Sequence, residues 1–558
     1  MYRRAFIKNL GLTTAALGAI PGLPVRLLGA TSPQQFLPRS TPESQGVSSA
    51  GILQFLKALA NTKQELHSFM LVRHGQVISE CWWTPYRREA VHSLYSLSKS
   101  FTSTAIGFAV AEGKLKLTDR VVSFFPDQPV TVSENLAALT VANLLSMSVG
   151  HKTDSIATVA RNVEQPDWVK TFLSLPIDYT PGSVFLYDTG STFMLSAILQ
   201  KVTGQKVVDY LQPRLFDPLY IQQKSWETSP LGINTGGWGL SVATEALAKF
   251  GQFYLQKGQW NGQQLLPTQW VSEATTFKIQ QPATWNSGSD PANQAAYTAS
   301  LADPVAALAK LKQSSDWYQG YAYQFWRCRH NAFRGDGAFG QLCVVMPDQD
   351  AVFVATAETG LMQEELNLVW DHILPAMRDT TLPKAAASVG AQLKSELSTA
   401  VLPLPAGDLN QAISARISGR KFAIDANDLA IQSVSVQFSG DACAFSLSNA
   451  TATFEVVCGL GKWRDGLTSL PGEPPGLLPY NSRDSKSIKI AAAGAWKDAN
   501  TFQMLWHFYE TPHHDTVTCA FEGDIVRIEF LNSITESLGQ NRALRPETRP
   551  ILKGTLSD

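Results

Sequence analysis

Apolar positions along this chain alternate between a helical and a strand-like period, and the switches between them divide it. Near the start, Ile52, Phe55, Leu56 and Leu59 share one face of a helix for which Ser49 offers an N-cap. Residues 69–72 and 77–83 are β-rich runs on either side of Arg73-His74-Gly75-Gln76, a connection that predicts a hairpin turn. The period then becomes helical. Phe101, Ala105, Phe108 and Glu112 recur at helical spacing while Ile106, Ala109 and Val110 fill the other faces, so this helix is predicted to be buried, with Gly113 as its stop. Further helical runs fall at 139–147, ending at Gly150-His151, at 193–202, closed by Gly204, and at 245–255, after the turn Gly236-Gly237-Trp238-Gly239-Leu240-Ser241. Strand-like segments return at 320–326, at 337–341 running into 342–346, and at 352–356, followed by a helix over 364–377.

Two strands near the start of a helical region and three near its end predict an α+β fold. First and last segments share an antiparallel sheet, flanked by helices and carrying an inserted helical region. Beyond about residue 380 the pattern changes to strands at 431–438, 444–447, 502–508, 517–521 and 525–530, an all-β appendage. The expected division is therefore 36–380 for the first domain and 395–555 for the second, with 33–45 as a linker and the polar, punctuated 280–316 as an insertion or lid.

Composition narrows the picture modestly. At 558 residues the chain is too long for one ordinary core. A net charge of -1 with 17% charged residues gives no sign of a nucleic-acid partner. Six cysteines without a Cys-x-x-Cys pair make neither a disulfide scaffold nor a zinc site. Residues 1–30 read as a twin-arginine export signal, with Arg3-Arg4-Ala5-Phe6-Ile7-Lys8, an apolar run over 10–23 and small residues near Gly29-Ala30. The expected location is periplasmic or extracellular, and no later apolar run is long enough for a spanning helix.

The candidate chemistry sits at the start of the buried helix. Ser96-Leu97-Ser98-Lys99 puts a hydroxyl and an amine three residues apart, on one face of a helix whose first N–H groups are unpaired and whose dipole favours developing negative charge. A lysine buried in that turn has its pKa lowered toward service as a base. The same spacing in Ser418-Gly419-Arg420-Lys421 runs into the strand-like Phe422-Ala423-Ile424-Asp425 and is read as carrying no chemistry. Farther along, Tyr187 precedes the helix at 193–202, and Gly335-Asp336-Gly337-Ala338-Phe339-Gly340 falls on a late strand.

In this order and context the motifs resemble the serine hydrolases that share the fold of class C β-lactamases, D-alanyl-D-alanine carboxypeptidases and family VIII esterases, over roughly residues 36–380. The resemblance implies that Ser96 is the acylated nucleophile, that Lys99 takes or relays its proton, and that Tyr187, its hydroxyl acidified by the nearby ammonium, is a partner in proton transfer. It also implies an oxyanion hole made by the N–H groups of Ser96 and Ala338, beside Gly337. Two departures matter. The family's Tyr-x-Asn reads Tyr187-Asp188-Thr189, so a substrate-amide contact comes from Thr189 or is absent; the basic residue of the late strand reads Gly335, so a substrate carboxylate loses its partner unless Arg334 next door compensates.

The expectation is a serine hydrolase acting through an acyl-enzyme on an ester or amide of a small molecule. A β-lactamase, a peptidoglycan D-alanyl carboxypeptidase or endopeptidase, and a non-catalytic penicillin-binding-like scaffold are the alternatives. No cofactor and no metal is expected. Adjacent imidazoles in His513-His514-Asp515 could ligate an ion, but no third ligand cluster accompanies them in the sequence. His92 and Tyr95 are read as core groups, and Trp238 as pocket wall or packing.

Overall fold

The computed structural model describes residues 36–160, 165–284, 303–470, 487–537 and 547–557. The export segment expected at 1–30 lies outside these, as does much of the expected insertion, whose end forms the helix Pro304–Ser314.

Strand β1 (Glu65–Arg73) is buried at eight of its nine positions, because it runs through the middle of a sheet covered on both faces. Its side chains alternate between two apolar layers, as the pleat requires. Phe69 and Leu71 join Phe353, Leu342 and Val344 on one face. Met70 and Val72 join Phe101, Phe250 and Val354 on the other. The remaining strands are β2 (Gln76–Trp82), β3 (Trp326–Arg327), β4 (Phe333–Gly337), β5 (Gln341–Met346) and β6 (Ala351–Glu358), in the antiparallel order β2-β1-β6-β5-β4-β3. First and last segments do share the sheet: β1 pairs with β6 from Glu65↔Glu358 to Arg73↔Ala351. The β1–β2 hairpin turns through His74 and Gly75, both with positive φ (49° and 73°), the combination that suits strand twist.

Helix α1 (Ser49–Ala60) buries Ile52, Phe55 and Leu59 in the first layer. In the second lie α2 (Ser98–Ala111), α3 (Thr189–Thr203) and α4 (Thr244–Leu255). α4 approaches the sheet so closely that a Cβ on Gly251 would stand 2.5 Å from a Val352 methyl carbon. Two expected elements come out differently. Residues 337–341 are not a strand: β4 ends at Gly337, and Ala338 to Gly340 turn the chain, with φ of 68° at Phe339 and 88° at Gly340. A Cβ at Gly340 would meet Glu365 Oε2 at 2.6 Å, so glycine suits both the angle and the space. The closing helix is shorter, Met362–Leu368, and continues as a wider turn over Val369–Ile373.

The C-terminal strands close into a barrel. They are β7 (Lys421–Ile424), β8 (Ser433–Ser439), β9 (Ala442–Ser448), β10 (Thr453–Leu460), β11 (Arg464–Thr468), β12 (Ile488–Trp496), β13 (Thr501–His507), β14 (His514–Glu522), β15 (Ile525–Asn532) and β16 (Leu552–Ser557). The order β10-β9-β8-β7-β16-β15-β14-β13-β12 is closed by a parallel β12–β10 pairing, Gly459↔Ala493, with β11 on the outside of β12. Closure removes the exposed edges that an open sheet would present. Lys421 opens β7, so Ser418-x-x-Lys421 leads into a strand. The barrel docks on residues 83–93: the Tyr86 hydroxyl donates to the Thr511 carbonyl (3.1 Å), Ser93 N–H donates to the Glu510 carbonyl (3.0 Å), and Tyr86, Leu402, Ala491 and Tyr509 form a shared apolar cluster. All six cysteines are buried and unpaired. Among the described residues no helix is long and apolar enough to cross a membrane.

Phe69 lies at the centre of the first layer with no exposure, ringed by Phe55, Phe353 and Trp83. Phe69→Ala is expected to destabilise this part of the chain by about 3–5 kcal/mol, seen as a lower urea midpoint with an unchanged slope.

Candidate active site

The first turns of α2 are polar yet wholly buried, and each hydroxyl has a partner in another segment or turn. Ser98 Oγ donates to the Tyr95 carbonyl and accepts from Leu240 N–H; Ser100 donates to the Gln324 carbonyl, Thr102 to Gly236 and Ser103 to Tyr323. Serine and threonine are poor residues for a helix interior. Here they tie the helix to the loops that wall the site. Ser96, half-buried, sits in a tight turn (Tyr95–Leu97) immediately before the helix.

Lys99 is almost fully buried, and its Nζ has three oxygen neighbours: Ser96 Oγ at 3.0 Å, the Gly237 carbonyl at 2.9 Å and Thr189 Oγ1 at 3.4 Å. The ammonium also lies 4.8 Å from the centre of the Tyr187 ring. Burial lowers its pKa to about 8, against the upward pull of Asp154, Asp188 and Asp336. The glycine-rich turn supplies the carbonyl. A Cβ on Gly237 would come within 2.8 Å of Thr189 Cγ2, so only glycine fits. Trp238, in the same turn, is packing: it stacks on Trp168 and donates to Glu227.

Tyr187 does not have its hydroxyl acidified as expected. Burial and then the Asp336 charge raise its pKa well above the usual tyrosine range, with a hydrogen bond to Ser96 working the other way, so the phenol stays protonated. Thr189 heads α3, where its N–H and hydroxyl both donate to Asp154 (2.9 and 3.1 Å). The half-buried Asp154 carboxyl is raised to about 6, by desolvation first and the neighbouring Asp188 second. Asp188 caps α3, accepting from Gly190 N–H, Ser155 and His151 Nδ1. Burial alone would raise it, but the His151 and Ser155 contacts outweigh that and hold it low.

The end of β4 passes directly over Ser96. A Cβ on Gly337 would lie 2.0 Å from the Leu94 carbonyl and 3.1 Å from Ser96 N, and Ala338 follows at once. Gln341 holds the Ala338 carbonyl (3.1 Å). Arg334 is not available to a substrate carboxylate in the way the sequence suggested. It is wholly buried, donates from Nε to Asp336 (2.7 Å) and from Nη1 to the Asp316 carbonyl (2.9 Å), and stacks on Trp317. Position 335 has no room for a basic side chain either, since a Cβ there would meet Ser100 Oγ at 2.6 Å.

The structure thus brings Ser96, Lys99, Tyr187, Thr189, Gly337 and Ala338 together, and removes Arg334. It adds Asp154, Asp336 and the Gly237 carbonyl, which the sequence reading missed; Asp154 had no local signal, whereas Asp336 and Gly237 lay inside motifs already noted. It also adds a residue from the barrel. Tyr95, beside the serine, donates from its hydroxyl to His513 Nε2 (2.5 Å), while His513 Nδ1 donates to Glu358 (2.7 Å) and its ring meets Phe339 edge-on. His92 is buried in a separate network with His67.

A buried lysine amine 3.0 Å from a serine hydroxyl, at the start of the helix that backs an antiparallel sheet, is the centre of this candidate site on an α+β fold. The chain belongs to the Beta-lactamase family, whose model matches residues 61–376, more than half its length. It is 23% identical over 219 residues to the 6-aminohexanoate-dimer hydrolase of Paenarthrobacter ureafaciens, covering 37% of this chain and 55% of that protein. It is also 23% identical over 155 residues to the beta-lactamase of Escherichia coli (strain K12), covering 28% of this chain and 40% of the other. The chain therefore spans about half, or less, of the length of these relatives. The structure of the octameric penicillin-binding protein homologue from Pyrococcus abyssi aligns over 86% of this chain and 98% of that one, with 15% identity and a TM-score of 0.45.

If Lys99 must be neutral to take the Ser96 proton, labelling of Ser96 by a fluorophosphonate speeds up with rising pH and levels off above about 8. Asp154→Asn removes a charge that holds the Lys99 pKa up, so the midpoint is expected to move to lower pH. The measurement is the labelling rate constant as a function of pH for the two proteins.

Proposed function

We propose that this protein is a serine hydrolase that cleaves a small ester or amide through an acyl-enzyme. The observation that carries the reading is the 3.0 Å contact between Ser96 Oγ and the buried, pKa-lowered Lys99 amine. Lys99 takes the hydroxyl proton as Oγ attacks the carbonyl carbon, and the oxyanion forms between the N–H groups of Ser96 and Ala338. Tyr187, kept protonated and hydrogen-bonded to Ser96, gives its proton to the leaving alkoxide or amine as the carbon–oxygen or carbon–nitrogen bond breaks, and regains one from the Lys99 ammonium. Water then repeats the attack on the ester of Ser96, and the acid leaves.

Electrostatics argues about the substrate. Position 335 holds no base, Arg334 is engaged inside the protein, and Asp336 adds a carboxyl close to the site. A substrate carboxylate next to the scissile bond gains no cationic partner among these groups, which weighs against β-lactams and D-alanyl termini and in favour of neutral esters or amides. The Paenarthrobacter relative is named for a 6-aminohexanoate dimer, a substrate that is not a β-lactam. The export reading of residues 1–30 joins the proposal and sets this activity outside the cytoplasm.

The test is intact-mass spectrometry after incubation with an alkyl fluorophosphonate and, separately, with penicillin, with peptide mapping. Labelling at Ser96 by the fluorophosphonate alone is the expected result. Equal labelling by penicillin would restore the penicillin-recognising reading, and no labelling by either would favour the scaffold. Ser96→Ala is expected to lower ester hydrolysis by at least about 10³-fold, and unchanged turnover would move the chemistry elsewhere.

A further inference from the structure

We propose that the chain binds one divalent metal ion of the zinc class where the barrel meets β1, with Glu65, His507 and His514 as its ligands. A ligand atom from each of the three lies within 4.8 Å of the other two. Glu65 opens β1, His507 closes β13, and His514 opens β14 directly opposite His507 in register, with the two imidazoles stacked at 4.7 Å. Two imidazoles and a carboxylate form a donor set that suits Zn²⁺ and leaves a fourth position for water.

Two independent observations point to an ion rather than to a plain polar cluster. His507 is 2% exposed, and its Nδ1 is buried with no hydrogen-bond partner, an arrangement native proteins rarely leave unsatisfied. His514 has its Nδ1 committed to Glu358 Oε2 at 3.0 Å, which leaves Nε2 as its ligand atom. A carboxylate behind a ligating imidazole is the usual outer shell of a metal site. Glu65 is steadied in the same way, with Oε1 against His67 Nε2 at 3.2 Å and His67 against His92 at 3.0 Å. The side chains of Glu65 and His514 are 29% and 17% exposed, so an ion has an entry path. Metal–ligand bonds of ~2.0–2.2 Å in a tetrahedron ask the ligand atoms to draw together by about 1.4 Å from the 4.8 Å limit of their present spacing, within reach of side-chain rotation.

The ion would brace β13 and β14 against β1. His513, the neighbour of His514, is the residue that holds Tyr95 beside Ser96, so the brace also fixes the barrel's contact with the catalytic turn. It takes no part in proton transfer.

The test uses the full chain, stripped with a chelator and titrated with Zn²⁺. About one Zn²⁺ per chain, measured by elemental mass spectrometry after gel filtration, and a thermal unfolding midpoint raised by about 3 °C or more are expected. His507→Gln and Glu65→Gln should each weaken Zn²⁺ binding by at least about 10-fold. No uptake by the unmodified chain, or uptake at unchanged affinity by both variants, overturns the proposal. Should the variants not melt cooperatively, the unmodified chain decides: Zn²⁺ is expected to slow diethylpyrocarbonate modification of His514, mapped by peptide mass, and an unchanged rate overturns the assignment.

Discussion

Lys99 is a cation placed where water is largely excluded, and much of the architecture around the Ser96 turn is the consequence of keeping it there. Burial pushes the amine toward neutrality, while Asp154, Asp188 and Asp336 pull the other way and stop the shift at about 8. A lysine in water near 10.5 is free base at only a few parts in ten thousand at pH 7, whereas one at about 8 is free base about a tenth of the time, a gain of roughly 300-fold. Fewer carboxylates would leave an amine too weakly basic to hold a serine proton. Less burial would leave it an ammonium. The glycine-rich turn, the hydroxyl-bearing helix and the Asp154–Thr189 pair all serve to hold that balance in one geometry.

The same desolvation acts in opposite senses on the two ionisable partners of Ser96. Removing water disfavours whichever form is charged, so it lowers the lysine and raises the tyrosine. Lys99 and Tyr187 are thereby pushed apart into a base and an acid, although both press on one hydroxyl. The sequence-based expectation of an acidified tyrosine treated the ammonium as a fixed positive charge. In the structure that charge is itself depleted, and Asp336 adds a negative one nearby.

Local patterns made much of the fold legible. The buried helix behind Ser96, the His74-Gly75 hairpin, the Gly204 stop and the shared sheet all follow from periodicity and turn chemistry, and five barrel strands showed the alternation of a half-buried sheet. What stayed hidden had physical reasons. β12 is rich in Ala491, Ala492, Ala493 and Ala495, residues of low strand propensity that are buried because Ala492 faces the barrel core while Ala491 faces the docked N-terminal region. Asp154 reaches Thr189 across 35 residues with no motif of its own. Arg334 looked like a spare cation because its partners, the Asp316 carbonyl and Trp317, arrive from another segment.

The barrel's place in this scheme follows from one backbone angle. Tyr95 precedes the serine and holds φ at 46°, a left-handed conformation that an aromatic residue adopts only under constraint, at a strain of about 1–3 kcal/mol. Part of the constraint is local: Leu97 N–H donates to the Leu94 carbonyl, and Leu94 N–H to Leu240. The rest comes from the barrel, whose His513 accepts from the Tyr95 hydroxyl and packs with Phe339 of the turn that follows Ala338. One imidazole therefore touches the segment before the serine and the turn at the end of β4, while Glu358 at the end of β6 fixes its orientation. A barrel that moved away would release both walls at once, so its docking belongs to the geometry of the site and not only to the surface of the protein.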